Sequence, residues 1–116
     1  MLNKVILIGR LVRDPELRYT DSGKSFSAFT LAIERNYINN KGEKDTDYID
    51  IITWNRLAEN CTEYLQKGRL VAVEGRLQIR KNETDDKIYF NPEVIARNVQ
   101  FIEWPSKDEE QKKEVS

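Results

Sequence analysis

The chain has 116 residues, 39% of them apolar, with a mean hydropathy of −0.69 and a formal net charge of −1. That length holds one compact domain with a real core and falls short of two ordinary ones. A single cysteine, Cys61, and no histidine exclude an internal disulfide and make a structural zinc untenable, no apolar run is long enough to cross a bilayer, and Met1 to Val12 lacks a signal-peptide cleavage site, so a soluble, cytoplasmic protein is expected.

Lys4 to Val12 (KVILIGRLV) is rich in β-formers and reads as a first strand, buried on both sides over part of its length, with Gly9 placed for a bend or a close backbone approach. Asp14 and Pro15 make a turn, and Thr20 to Lys24 makes another in which Gly23 supplies a positive φ. From Ser25 to Asn36 the residues alternate, with Phe29, Leu31 and Ile33 on one face and Phe26, Ala28, Thr30 and Ala32 on the other, which predicts strand two. Asn39, Asn40, Lys41 and Gly42 form a polar hairpin tip, and Asp47 to Trp54 follows as strand three. Its period of two sets Tyr48, Asp50, Ile52 and Trp54 against Ile49, Ile51 and Thr53.

Asn55 to Lys67 switches to helical spacing, with Leu57, Cys61 and Tyr64 or Leu65 in one stripe, Asn55 as a cap and Gly68 at the end. Leu70 to Lys81 returns to alternation, which places Val71, Val73, Leu77 and Ile79 inward and Glu74, Arg76, Gln78 and Arg80 outward, interrupted by Gly75. Asn82 to Lys87 is a charged turn, and Ile88 to Glu103 is a last strand whose Pro92 marks an edge or a bulge. Phe29 and Phe101 sit among aliphatics and are expected in the core. Beyond Trp104 the composition turns to Ser, Lys, Asp, Glu and Gln, so the chain divides into one domain over 1–104 and a disordered charged tail over 105–116.

Three strands, a helix and two strands, with glycines at the bends, fit an all-β five-stranded Greek-key barrel of the OB (oligonucleotide-binding) type, its one helix between strands three and four. A five-stranded sandwich of another topology shares the pattern. The tail carries three lysines and four acids, which leaves sixteen charges of each sign on the body. Binding to phosphate therefore needs those charges sorted onto different faces, and electrostatics supplies only part of any affinity.

The usual catalytic constellations are missing: there is no histidine, no paired-cysteine spacing, no phosphate-binding glycine loop and no nucleophile elbow. Asp45, Asp47 and Asp50 read as solvated strand-end residues, and no enzyme, cofactor or metal is expected. The positive signal is aromatic and basic residues interleaved on strands: Tyr37, Tyr48, Trp54 and Phe90 with Arg35, Arg56, Arg76, Arg80 and Lys81. Such a surface holds single-stranded nucleic acid in any sequence, with bases stacked on rings and cations along the phosphates. Asp50 between Tyr48 and Trp54 argues that their face is not core. Trp54 alone reads equally as a ring closing the barrel, Tyr37 and Tyr48 also allow a structural role, and Arg76 and Arg80 gain meaning only beside the aromatics.

The segments NKVILIGRLVRDPELRY, TLAIERNY, TDYIDIITWNRLAENCTEYLQKG and LVAVEGRLQIRK resemble the bacterial single-stranded DNA-binding protein family, over about Met1 to Glu103. The resemblance implies a homotetramer of OB barrels that coats and protects single-stranded DNA in replication, recombination and repair. It implies stacking at Tyr37 and Tyr48, where relatives usually carry tryptophan, and at Trp54, where they usually carry phenylalanine. It also implies phosphate contacts from Arg56, Lys67, Arg80 and Lys81, with Lys4 as the basic residue opening the first strand; Arg10 and Arg35 complete the expected cationic set. Two departures stand out. Asn82 occupies a position commonly aromatic, and the chain stops at Lys112, Lys113, Glu114, Val115 and Ser116 without the acidic, hydrophobic-ended tip through which such proteins recruit enzymes. That ending reads as a shortened chain or as a short paralogue of the kind tied to competence (transformation), plasmids or phage, with DNA coating kept and enzyme recruitment weak. The rival reading is an OB-type assembly module that mainly binds other proteins.

Overall fold

The computed structural model describes residues 1–102, so the expected charged tail lies outside the described residues. Within them the order is β1 (Val5–Leu11), β2 (Glu16–Tyr19), β3 (Ser25–Ile38), β4 (Lys44–Trp54), α1 (Asn55–Tyr64), β5 (Leu70–Glu83) and β6 (Ile88–Phe101). Five strands close on themselves. Antiparallel ladders join β1 to β5, β5 to β6 and β4 to β3; β6 runs parallel to β4; and β3 returns to β1 at Arg10↔Ala32 and Leu11↔Leu31. This is the expected five-stranded OB-type barrel, with its helix between the third and fourth barrel strands.

Closure brings backbones together at two glycines. A Cβ on Gly9 would lie 2.6 Å from the Ala32 carbonyl oxygen, where β1 passes from β5 to β3. One on Gly75 would collide with the Ile95 carbonyl oxygen and come within 2.9 Å of the Ala96 Cα, at the register shift between β5 and β6. Both contacts are with backbone, which cannot swing aside as a side chain would.

The interior follows the alternation in the sequence. Phe29, Leu31, Ile51, Val71, Val73 and Val94 fill it, and Ala58, Cys61 and Leu65 cover it from the α1 side. Ser27 and Thr53, the buried polar pair of the β3–β4 inner face, share a 2.6 Å hydrogen bond and so leave no buried hydroxyl unmet. Burial pushes the Cys61 thiol up to about 12, which keeps it protonated and unreactive. No helix among the described residues is long and apolar enough to cross a membrane.

Between the two turns Glu16–Tyr19 forms β2, an element the sequence pattern did not show, and pairs with β3 from Glu16↔Ala28 to Tyr19↔Ser25. Three expectations are corrected. Asn55 does not cap α1 through its side chain; it takes φ 56°, the left-handed conformation asparagine tolerates, and so turns β4 directly into the helix. Leu77 and Ile79 are exposed: the β4–β6 ladder ends at Asp50↔Glu93, and beyond Gln78 the β5–β6 pair runs on as a free arm, with Ile79 on the arm and Leu77 at its root. Phe101 is 46% exposed and leans on the exposed Tyr64 of α1, with centroids 6.3 Å apart, instead of entering the core.

Gly75→Ala is expected to destabilise the protein by about 1–3 kcal/mol, since β6 must shift to admit the methyl group. Denaturant unfolding of the variant beside the parent protein measures it.

Candidate nucleic-acid interface

Register decides which side chains can act together. On the outside of the barrel, β3 and β4 pair Ala32 with Tyr48, Thr30 with Asp50, Ala28 with Ile52 and Phe26 with Trp54. The parallel ladder continues Asp50 to Glu93 and Ile52 to Ile95, and β5 adds Gln78 beside Glu93 and Arg76 beside Ile95. The parallel ladder stops at Asp50↔Glu93, and Arg80, two residues past Gln78 on β5, turns back to Glu93. At the opposite margin Ala32 pairs with Arg10 of β1. Tyr48 thus has Arg10 at one end of its row, and Ile52 has Arg76 beyond Ile95.

The two rings of this face are open. Tyr48 is 65% exposed, and Trp54 is 37% exposed with one side against Phe26 at a centroid distance of 5.3 Å and a tilt of 37°. Trp54 is therefore a half-covered platform braced from behind, not a plug in the barrel. Six residues at about 3.4 Å each separate them by about 20 Å along β4, room for several nucleotides. Beside the Tyr48 row a hollow of about 380 Å³ is lined by Ile8, Arg10, Ala32, Glu34 and Thr46 among others.

Acids are built into the same face and are tied down. Glu93, buried, accepts from Arg80 Nη2 at 2.9 Å and from Gln78 Nε2 at 3.1 Å, and Arg76 donates to Gln78 Oε1 at 3.0 Å. Asp50 accepts from Thr30 Oγ1 at 3.0 Å. The face is mixed in sign, so stacking must carry much of any grip.

Other expected site residues lie elsewhere. Tyr37, 60% exposed, stands within the register shift of β3 between Glu34 and Ile38, and its hydroxyl accepts from Arg35 Nη1 at 3.3 Å. Arg35 grips both Asp47 oxygens, at 3.1 and 2.9 Å, with Asp45 at 3.7 Å, on the face of the β3–β4 arm opposite Tyr48. That bidentate pair, with the Tyr37 contact, raises the Arg35 pKa, and Arg35 in turn, chiefly through its hydrogen bonds, holds the Asp47 carboxyl below its ordinary value against an opposing effect of burial. Lys81 and Phe90, the latter 63% exposed, are paired with each other on the reverse face of the β5–β6 arm, and Lys81 also meets Glu83 at 2.9 Å. Lys4 sits beside Glu74 at 3.9 Å. Arg56 is exposed on α1, two residues beyond Trp54, and Lys67 lies in the loop after α1, its backbone N–H bound to Asp14 at 2.7 Å.

Two aromatics that the sequence pattern did not single out belong here. Phe26 backs Trp54, and Tyr89, half exposed, pairs with Asn82 across the β5–β6 arm, so a ring faces the position where Asn82 lacks one. The strand pairing across each hairpin was the only signal that pointed to them. No group of three or more His, Cys, Asp or Glu side chains among the described residues is arranged to hold a metal.

The chain matches the single-strand binding protein family over residues 2–102. It is 45% identical over 104 residues to single-stranded DNA-binding protein 2 of Listeria innocua, covering 89% of this chain and 65% of that protein. It is 49% identical over 104 residues to single-stranded DNA-binding protein A of Bacillus subtilis, covering 89% and 60%. To single-stranded DNA-binding protein 1 of Staphylococcus aureus it is 47% identical over 113 residues, covering 96% and 72%. The chain thus spans less than two thirds of the length of the first two.

Asp47 restrains Arg35, and the sign of its pH dependence follows from the lowered carboxyl. The stabilisation from the pair is complete above the ordinary carboxylate value of 3.8 and is lost as pH falls through the lower folded value. At neutral pH the clamp is closed. Asp47→Asn opens it and is expected to tighten binding of oligo-dT at low salt and to steepen the salt dependence by about 0.7 in the log–log slope. Fluorescence titration at several salt concentrations reads both.

Proposed function

The chain belongs to the single-strand binding protein family, and from that premise we propose that it binds and protects single-stranded DNA without regard to sequence, in replication, recombination, repair or transformation. The observation that carries the reading is the outer face of the barrel, where exposed Tyr48 and half-open Trp54 share β4 and the flanking strands supply Arg10, Arg76 and Arg80. Bases lie against the rings and phosphates run toward the cationic margins. Tyr37 with Arg35, and Phe90 with Lys81, extend the path over the two free arms, while Lys4, Arg56 and Lys67 receive the strand at the rim. Binding of this kind uses no bond-breaking chemistry, and cytoplasmic, nucleoid-bound DNA is its natural target.

A homotetramer belongs to the same reading. Ile6 and Ile8 are exposed on the outer side of β1, an apolar pair better covered by a second copy than left in water.

Titration with oligo-dT at low salt is expected to quench tryptophan and tyrosine fluorescence, with log K falling by roughly 0.7 per phosphate contact as log salt rises. Tyr48→Ala and Trp54→Ala should each weaken binding by about 1–3 kcal/mol. An intact, folded protein that shows no quenching at low salt is not a DNA coat. For assembly, the mass in solution is expected to be that of four chains and to drop in an Ile6→Glu, Ile8→Glu double variant; an unchanged mass in that variant removes β1 from the interface.

A further inference from the structure

Strand β2 lengthens the outer face in a direction the aromatic pattern did not indicate. Its register sets Arg18 beside Phe26 and Glu16 beside Ala28, so Trp54, Phe26 and Arg18 form one row across β4, β3 and β2. A groove of about 220 Å³ opens at the end of that row, lined by Arg13, Asp14, Glu16, Arg18, Phe26 and Ala28. Phe26 is common to both features, since it lines the groove and braces Trp54 at 5.3 Å.

The groove is polar, and its acids are already engaged. Asp14 accepts the Lys67 backbone N–H at 2.7 Å, which pins the loop carrying that lysine to the groove's edge. Glu16 is engaged by Arg18 at 3.0 Å, with both side chains largely in solvent. Arg13, exposed, has no hydrogen bond or ion pair among the described residues. The exposed ion pair is weak, so Arg18 can exchange a solvated carboxylate for a phosphate at small cost. A guanidinium presents the planar fork that suits a phosphodiester, and two of them reach into one depression beside an aromatic platform.

We propose that the Arg13–Arg18 groove is a phosphate-binding subsite that takes the DNA backbone just beyond the nucleotide stacked on Trp54, so that the strand leaves the barrel over β2. This rests on the single-stranded DNA-binding reading and adds an exit path to it. A chain long enough to run past Trp54 uses the subsite; one that covers only the β4 rings does not. The strand would then travel from the Tyr48 row, along β4, across Phe26 and out over the edge strand, with Lys67 beside it.

The test compares an Arg13→Ala, Arg18→Ala double variant with the unmodified chain, using oligo-dT of about 4 and about 16 nucleotides, the limits of the usual site size. Both arginines are exposed, and circular dichroism checks that the variant keeps its fold. For the long oligonucleotide the log K against log salt slope is expected to flatten by roughly 1.4, about 0.7 for each lost phosphate contact. For the short one the slope should be unchanged. Glu16→Gln, which releases Arg18, is expected to steepen the long-oligonucleotide slope. Slopes that match the unmodified chain at both lengths would falsify the subsite, and equal losses at both lengths would show that the arginines act on the whole face, which also overturns it. An unmodified chain that bound neither oligonucleotide at low salt would overturn the coating function itself, a result distinct from any difference between variants.

Discussion

The close packing of main chain against main chain where β1 and β5 cross their neighbours sets the rest of the structure. Gly9 against the Ala32 carbonyl and Gly75 against the Ile95 carbonyl let five strands close into a barrel narrow enough for Phe29, Leu31, Ile51, Val71, Val73 and Val94 to fill. With that interior occupied, a ring on the other parity of β4 has no place but outside. Tyr48 and Trp54 are exposed because Ile49, Ile51 and Thr53 take the inward positions, so the same alternation that builds the core also builds the candidate interface.

The second theme is neutralisation. Arg80 is tied to Glu93, Arg35 to Asp47, Arg18 to Glu16, Lys81 to Glu83 and Lys4 to Glu74. A near-neutral chain that binds a polyanion must exchange these pairs for phosphates, and the exchange is easiest where both partners are solvated. Arg80 is the exception, because its carboxylate partner is buried and would be left without its cation. Arg80 therefore presents its charge at the margin of the face while staying bound to Glu93, which Gln78 also holds. Under the proposed DNA binding, stacking on rings would carry the sequence-tolerant part of the affinity, and the cations would steer and align.

The free arms divide the expected site. Beyond Glu34 and beyond Gln78 each hairpin runs past its last ladder with the rest of the barrel, so both of its faces meet solvent. Tyr37 and Phe90 are exposed for that reason, on the faces of their arms turned away from Tyr48. A strand that touched all four rings must wrap over the arms and cannot lie flat on one sheet.

From residue order alone came the strand alternation, the helix between the third and fourth barrel strands, the inward placement of Phe29, Val71 and Val73, and the aromatic and basic residues of β4 and β5. These are properties of local period, which a linear pattern carries in full. Tertiary structure alone decided the rest. The four residues of β2 are too short to show a period, and they become a strand only because β3 offers an edge. Leu77, Ile79 and Phe101 have core-like surroundings in sequence, yet Leu77 and Ile79 lie at the root of the free arm and on it, and Phe101 ends β6 against exposed Tyr64. The partition of cations among faces, and the meeting of Arg18, Phe26 and Trp54 in one row, depend on register between strands distant in the chain, and no local pattern encodes that register.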